Sequence, residues 1–451
     1  MRKTGMILGV GLLALSLWWT SPALAQKKSV AEEILDILRA KNQISEEEYR
    51  TLLNKARAEE ERASEAYRMA PRAPSDTRAL AGVKSGYRLG RGFVWESSDG
   101  NYSLSIGGRI QGRFTYLDRD GEASGRSDEG EFRLRRARVY WQGHAFDPKW
   151  QYRIELDLAP GEAELLNLEV NYAYRPELTL HTGQFKPPQA RQELTSSGSL
   201  QFVDRSLAND FFNVGRDRGV GVSGTLGEYL LEYRAGVFNG NGLNARQTST
   251  DFMYAARLAV NPFGPFPYDE PDFARTPKLL ASFGASTQFN KIGKKDISRL
   301  STDNDSLEFL VINPKFTGAN IDVWTSTADV AAKWRGFSFL GEYYRADVST
   351  PLAFNFGSGT TNKSFNAYGY NLQAGYFLTR NLEVAFRYDV IDPEDNSLNF
   401  KDQSEMRGGV SYYFDRHNLK LQADIGNLNT ARKAKPDIDD LEVRTQLQII
   451  F

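Results

Sequence analysis

The sequence predicts an all-β fold, a 16-stranded antiparallel transmembrane β-barrel preceded by a short N-terminal helical segment. Three observations carry this expectation. The chain opens with an export signal, an apolar/polar alternation of period two recurs from about residue 102, and the last strand-like segment stops on Phe451.

Residues 1–25 read as a secretory signal. Arg2 and Lys3 supply the charged start, Met6 to Trp19 is an uncharged apolar run, and Ala23-Leu24-Ala25 is a small-x-small cleavage site. The run is short of the roughly 20 apolar residues a spanning helix needs. The chain has no cysteine, which excludes thiol catalysis, haem attachment and Cys-based zinc sites. A chain of this length closes a large sheet without disulfides.

Residues 26–70 carry a different pattern. Ile34, Ile37 and Leu38, then Tyr49, Leu52 and Leu53, recur at helical spacing, and Ser45 with Glu48 forms a capping box. Short charged helices are marginal alone, so this periplasmic segment is expected either to self-associate as a small coiled coil or to act as a solvated spacer. Pro71 and Pro74 then break the pattern, and residues 71–95 read as linker.

The barrel is expected over residues 96–451. In "YSLSIGGRIQGRFTYLD", Tyr102, Leu104, Ile106, Ile110, Phe114 and Tyr116 share one face, while Ser103, Ser105, Arg109, Gln111 and Arg113 take the other. Soluble strands average about 5–6 residues, whereas bilayer-spanning strands are longer and end in aromatics. About sixteen such segments follow one another, near 102–117, 131–145, 149–159, 164–175, 177–186, 216–225, 228–238, 251–262, 277–287, 321–334, 336–347, 364–378, 381–392, 403–415, 417–428 and 440–451. Short turns, as at Asp147-Pro148 and Arg416-His417, alternate with long connections near 188–215, 288–320, 348–363 and 392–402. That alternation places the turns in the periplasm. The Pro- and Phe-rich stretch 262–276 breaks the rule, because a short turn belongs there. The terminal "VRTQLQIIF" resembles the assembly signal of bacterial outer-membrane barrels.

Mean hydropathy is −0.49, which fits a barrel with a polar lumen, and the lack of a long apolar run after the signal excludes helical spans. Net charge is −1, which argues against a nucleic-acid binder. The arginines of "EFRLRRARVYWQGHAFD" therefore need a local explanation. Ala137, Val139 and Trp141 share the lipid face, so Arg136, Arg138, Tyr140, Gln142 and His144 face the lumen. An Arg facing lipid at the midplane costs about 2–4 kcal/mol. Arg133 and Arg135 carry lipid-face parity, so they must lie above the apolar belt or be turned inward by a bulge. Arg109, Arg113 and Arg153 join the lumen set, with Glu155, Asp157 and Glu169 as acids that would brace them. Residues 1–90 hold 15 Lys+Arg and 11 Asp+Glu, which leaves 41 basic and 46 acidic residues for the barrel. Anion preference must then come from local focusing and not from net charge.

"SIGGRIQGRF", "FRLRRARVYWQG", "GQFKPPQARQELTSS" and "VDRSLANDFFNVGRDRGVGVSG" resemble the phosphate-selective porins O and P. The resemblance covers residue 100 to the end and is strongest over 102–224. It implies a trimeric 16-stranded barrel whose third extracellular loop, here about 188–215, folds inward to narrow the pore. Arg135 and Arg136 match the paired arginines at the constriction of phosphate-selective members. Arg138 stands where those members commonly have an aromatic, and Gly198 stands where a lysine is expected. The expected pore and anion-binding residues are Arg109, Arg113, Arg135, Arg136, Arg138, Arg153 and Lys186.

The expected function is an outer-membrane channel for passive diffusion of phosphate or other small anions. The alternatives are a general or other-solute porin whose lumen arginines are structural, and a barrel enzyme with a Ser/His or Asp/His site. Expected partners are small anions, outer-membrane lipid and lipopolysaccharide, and two further copies of the chain, with no nucleic acid, cofactor or metal. "GVGVSG" (Gly219 to Gly224) satisfies GxGxxG but lies in an alternating strand. His144, His181 and His417 lack metal-ligand spacing. Asp303, Asp305 and Glu308 form an acidic loop cluster that would bind divalent cations or be solvated.

Overall fold

The computed structural model describes residues 35, 38–41, 43–69, 82–159, 161–293, 320–355, 361–393, 402–432 and 436–451. The expected signal sequence and the acidic cluster at Asp303, Asp305 and Glu308 lie outside the described residues. The chain divides into two units, Met1–Thr77 and Arg78–Phe451.

In the first unit a helix spans Glu46–Met69. Its start follows from the capping box: the Glu48 amide donates to Ser45 Oγ at 3.2 Å, and the Ser45 amide donates to Glu48 Oε2 at 2.8 Å. Glu46, Glu47 and Glu48 occupy the first turn, where the helix dipole favours negative charge.

The second unit is a closed antiparallel barrel with a hairpin at its seam. The hairpin is β1 (Lys84–Arg88) and β2 (Gly92–Glu96). The barrel begins with β3 (Ser103–Asp118), β4 (Glu129–Ala145), β5 (Asp147–Asp157) and β6 (Glu164–Arg175). β7 (Leu178–Phe185), β8 (Asp217–Leu226), β9 (Leu231–Phe238) and β10 (Met253–Val260) form a low sector of the wall. β11 (Leu280–Ile292), β12 (Ile321–Trp334), β13 (Phe337–Asn355) and β14 (Thr361–Phe377) are long. β15 (Leu382–Pro393), β16 (Gln403–Asp415), β17 (Leu419–Thr430) and β18 (Ile438–Ile450) complete it. Each strand pairs with its sequence neighbour, and β18 pairs with β3 from Leu441↔Asp118 to Ile450↔Arg109. The barrel proper has the expected sixteen strands. "GVGVSG" lies within β8, as its alternation indicated.

Part of the expected linker 71–95 belongs to the β-sheet. β2 pairs with the start of β3, from Phe93↔Ile106 to Glu96↔Ser103, along the same edge that β18 uses higher up. The signal was faint because β1 and β2 have only five residues each. Gly92 (φ 78°) permits the close approach, since a Cβ there would meet the Ile106 carbonyl oxygen at 2.0 Å.

The C-terminal residue closes the seam where β18 ends. The Phe451 amide donates to the Gly108 carbonyl at 3.0 Å, and the Gly108 amide donates to the Phe451 carbonyl at 2.7 Å. A Cβ on Gly108 would stand 2.8 Å from Phe451 Cζ, so the glycine makes room for the terminal ring.

Alternation sorts the two faces. Along β12, Ile321, Val323, Thr325, Thr327, Asp329 and Lys333 are buried inward, while Trp324 and Trp334 are exposed outward near either end. Outward aromatics also pair across strands, as Trp150 with Tyr172 at 4.6 Å between ring centroids. Aromatic girdles of this kind sit at membrane interfaces.

The inward face is filled by the connection between β7 and β8. This loop carries short helices at Arg191–Leu194 and Leu207–Phe212, the second capped by Ser206 Oγ accepting from the Asn209 amide at 3.0 Å. Phe211 and Phe212 join Tyr344, Ala346, Val348, Ala367 and Ile391 in a buried apolar cluster, with Phe212 stacked on Tyr344 at 5.5 Å. The backbone then runs along the β15–β18 wall. Lys420 Nζ donates to the Leu200 carbonyl at 2.8 Å, and the Val203 amide donates to Asp424 Oδ2 at 3.0 Å.

Candidate pore and anion site

The arginine cluster on β4 depends on one bulge. Gln111 pairs with Arg136 but the next residue, Gly112, pairs with Leu134, so Arg135 is the extra residue. A bulge reverses the parity of everything beyond it. Phe132 and Leu134 therefore point outward, 84% and 58% exposed, while Arg133 takes its place opposite the inward Arg113. Arg135 itself turns inward, its Nε donating to Asp204 Oδ2 at 3.2 Å.

The expected site residues fall into two groups. Arg113, Arg135 and Arg136 converge on Asp204 of the inserted loop, at 2.8, 3.2 and 2.9 Å. Arg136 also donates to Gln111 Oε1 at 3.0 Å, and Arg113 to the Val203 carbonyl at 3.2 Å. The sequence expectation puts these three along the pore. The structure brings all three onto one buried carboxylate of the inserted loop, an arrangement that latches the loop to the wall. Burial opposes ionisation of Asp204, but Arg113, Arg135 and Arg136 outweigh it and hold the carboxyl well below the usual range.

Arg109, Arg138, Arg153 and Lys186 form the second group. They line a cavity of about 570 Å³ between the inserted loop and the low sector of the wall. Arg138 pairs with Asp157 at 2.8 Å and Glu155 at 3.3 Å, and Arg153 with Glu155 at 2.7 Å. Lys186 pairs with Glu193 of the loop at 3.0 Å. Burial works against a charged Glu193, yet Arg205 and Lys186 hold its carboxyl down to about 2.

Arg109 differs. Its guanidinium donates to Ser196 Oγ at 3.2 Å and Ser197 Oγ at 2.9 Å, and its Nε is buried with no hydrogen-bond partner. Among the described residues no carboxylate stands within ion-pair distance of it. A Cβ at Gly198 would lie 2.6 Å from Arg109 Nη1. The position where the resemblance leads one to expect a lysine is thus occupied by the head of Arg109.

Three more cations line the same cavity and escaped the sequence expectation: Arg205, Arg216 and Arg234. Arg205 and Arg216 sit in the inserted loop, where no periodicity marks direction. Arg234 was legible, since it shares inward parity with Phe238 on β9. The lining therefore holds seven cations against Glu155 and Glu169. Counting Asp157 and Glu193 behind the surface still leaves cations in excess. Tyr140, Gln142, Asn167, Phe185, His181 and His417 also line it.

The histidines are separate from one another. His144 is tied to Ser103 Oγ and the Gly100 carbonyl, both at 2.8 Å. His181 bridges Asn171 Oδ1 at 2.8 Å and Ser223 Oγ at 2.7 Å. This Ser-His-Asn row ends in an amide and not a carboxylate, and the surrounding backbone amides belong to the β7–β8–β9 ladder. An oxyanion hole needs free amides aimed at one point. Among the described residues no group of three or more His, Asp or Glu side chains is placed to hold a metal ion.

A family model described as phosphate-selective porin O and P matches residues 104–451. Among solved structures, the chain is similar to an anion-selective porin from Comamonas acidovorans. The two are 11% identical with a TM-score of 0.52, covering 78% of this chain and 100% of that one. It is also similar to the outer membrane channel DcaP of Acinetobacter baumannii, at 11% identity and a TM-score of 0.50, covering 79% and 99%. A loop-deletion form of OmpT, an outer membrane protein of Vibrio cholerae, gives 11% and 0.50, covering 78% and 100%. At such identities the likeness is one of fold. No curated protein sequence matches the chain.

Proposed function

The chain is an outer-membrane porin of the phosphate-selective porin O and P family, and we propose that its pore prefers anions because of the cation surplus lining the 570 Å³ cavity. The observation that carries this is Arg109, a buried guanidinium whose partners are two serine hydroxyls and no carboxylate. Serine hydroxyls can rotate to accept from Arg109 or to donate to a passing oxyanion. A low-dielectric wall focuses the field of such a charge into the water-filled path.

The latch of Arg113, Arg135 and Arg136 supports the loop and not the solute path. Phosphate is one candidate solute among small anions, because Gly198 supplies no lysine and the cavity is wide for a single inorganic anion. The family supports reading the barrel as a channel, and among the described residues the Ser223–His181–Asn171 row ends in an amide. A homotrimer fits the low sector of the wall, whose outer face carries an apolar groove of about 880 Å³ lined by Trp150, Leu180, Val220, Tyr254 and Trp324. The Glu46–Met69 helix would serve as a periplasmic coiled-coil segment.

Reversal potential under a KCl gradient tests the proposal. A planar bilayer containing the purified protein should give the sign of anion preference, and more strongly at low salt, where the Debye length is long. A zero or cation-selective potential would reject it.

A further inference from the structure

The connection between β10 and β11, residues 261–279, stands where the alternation calls for a short periplasmic turn. It does not stay outside the barrel. It starts at the turn joining β8 and β9, where Asn261 Nδ2 donates to the Tyr229 carbonyl at 3.2 Å and to Glu232 Oε1 at 2.7 Å. Phe266 is buried against Ala331, Leu340 and Leu280 on the inner wall. The Arg191 guanidinium of the inserted loop lies over the Phe266 and Tyr268 rings at 5.0 and 4.6 Å.

The segment then crosses the lumen. Lys333 Nζ pairs with Asp269 and donates to the Pro271 carbonyl at 2.8 Å. Asp272 is buried and accepts from the Thr276 amide at 2.9 Å and the Gly336 amide at 2.8 Å. Phe273 reaches the far side, 4.8 Å from the Tyr413 ring and 4.9 Å from the His417 ring. Arg275 Nη2 donates to the Phe377 carbonyl at 3.2 Å.

Its midpoint meets the loop that enters from the extracellular side. Glu270 Oε1 accepts from Gln192 Nε2 at 3.0 Å, and Oε2 from the Gln201 amide at 2.7 Å and Gln373 Nε2 at 2.9 Å. The Glu270 amide donates in turn to the Ser199 carbonyl at 3.1 Å. A buried carboxylate held by three donors is costly to disturb.

We propose that residues 261–279 form a periplasmic floor, keyed to the inserted loop through Glu270, which closes the β11–β17 half of the lumen and confines permeation to the arginine-lined sector. Two inward-folded segments of opposite origin meet at one carboxylate. The lumen is thereby divided lengthwise, and the specificity of the pore depends on the floor as well as on the charges. Nothing in this division depends on the sign of the pore's selectivity, so conductance and accessibility test it separately from anion preference.

The chain lacks cysteine, so single introduced thiols report cleanly. Ser338 is buried on the inner wall, its Oγ accepting from Gln201 Nε2 at 2.6 Å, whereas Gln142 lines the open cavity. In the full-length protein in a bilayer, a charged methanethiosulfonate reagent added from the periplasmic side should modify Gln142→Cys and reduce conductance, and should leave Ser338→Cys unmodified. Adding Glu270→Ala, or replacing residues 266–273 by a Gly-Ser segment of equal length, should make Ser338→Cys reactive. It should also raise single-channel conductance and move the reversal potential toward zero. Rapid modification of Ser338→Cys in the otherwise native chain would overturn the proposal even where the second variant fails to assemble. Unchanged conductance in a correctly assembled Glu270→Ala channel would overturn it as well.

Discussion

Replacing Asp204 by Asn tests the loop latch most severely. The carboxylate is nearly buried and shared by Arg113, Arg135 and Arg136 at 2.8, 3.2 and 2.9 Å. Removing its charge leaves three guanidiniums facing one another inside the barrel. Breaking a buried ion pair from one side typically costs about 3–5 kcal/mol. Asn keeps one carbonyl acceptor, Arg113 keeps Gln446 Oε1 at 3.1 Å, and Arg136 keeps Gln111 Oε1 at 3.0 Å. The loss should therefore fall at the lower end, about 3 kcal/mol. A denaturant titration of the barrel refolded in lipid vesicles reads it directly. Single-channel records should show added open-state noise as the loop loosens, because Arg387 Nη1, donating to the Asp204 carbonyl at 3.0 Å, is a weaker tether. A loss below about 0.5 kcal/mol, the usual range of a surface substitution, with a quiet channel, would refute the latch.

Other outcomes follow from the same contacts. Glu193 and Asp204 are both held below their ordinary carboxylate values, so their contribution is fully present above about pH 5 and is lost as pH falls toward 2. Channel noise should rise as pH falls from about 5 toward 2, and noise that stays unchanged down to about pH 2 would contradict the assignment. Deleting Phe451 removes two backbone hydrogen bonds to Gly108, each contributing roughly 0.5–1.5 kcal/mol, and should reduce the yield of heat-modifiable folded barrel in vesicles; an unchanged yield would contradict the seam.

Much of the barrel was legible because a strand's period is fixed by geometry and an inward arginine is enforced by lipid. The alternation from Tyr102 to Tyr116 placed Arg109 and Arg113 inside without any contact being known. Parity alone puts Arg135 either at an exposed rim or on a bulge, and the β3–β4 register shift at Gln111/Gly112 decides for the bulge. What was not legible lies in pairings between distant segments. Arg113 and Asp204 are far apart in sequence, so no local pattern separates a latch arginine from a pore arginine. Arg205 and Arg216 lie in a loop whose path is set by docking of Phe211, Phe212 and Val203. The β1–β2 hairpin is too short for its alternation to register. The stretch from 262 to 276 broke the turn rule visibly, but its inward path needed Glu270, Phe273 and their partners to be seen.

Arg109→Glu puts the central claim, that pore-lining cations outside the latch set the selectivity, to its most direct test. Reversing a charge about 4 Å from a passing ion changes the interaction by twice roughly 1–4 kcal/mol, from bulk water to an effective dielectric of 20. The reversal potential should move strongly toward cations in a dilute KCl gradient, and much less at 1 M salt, where the Debye length is near 3 Å. An unchanged potential at low salt, in a channel of otherwise native conductance, would contradict the account.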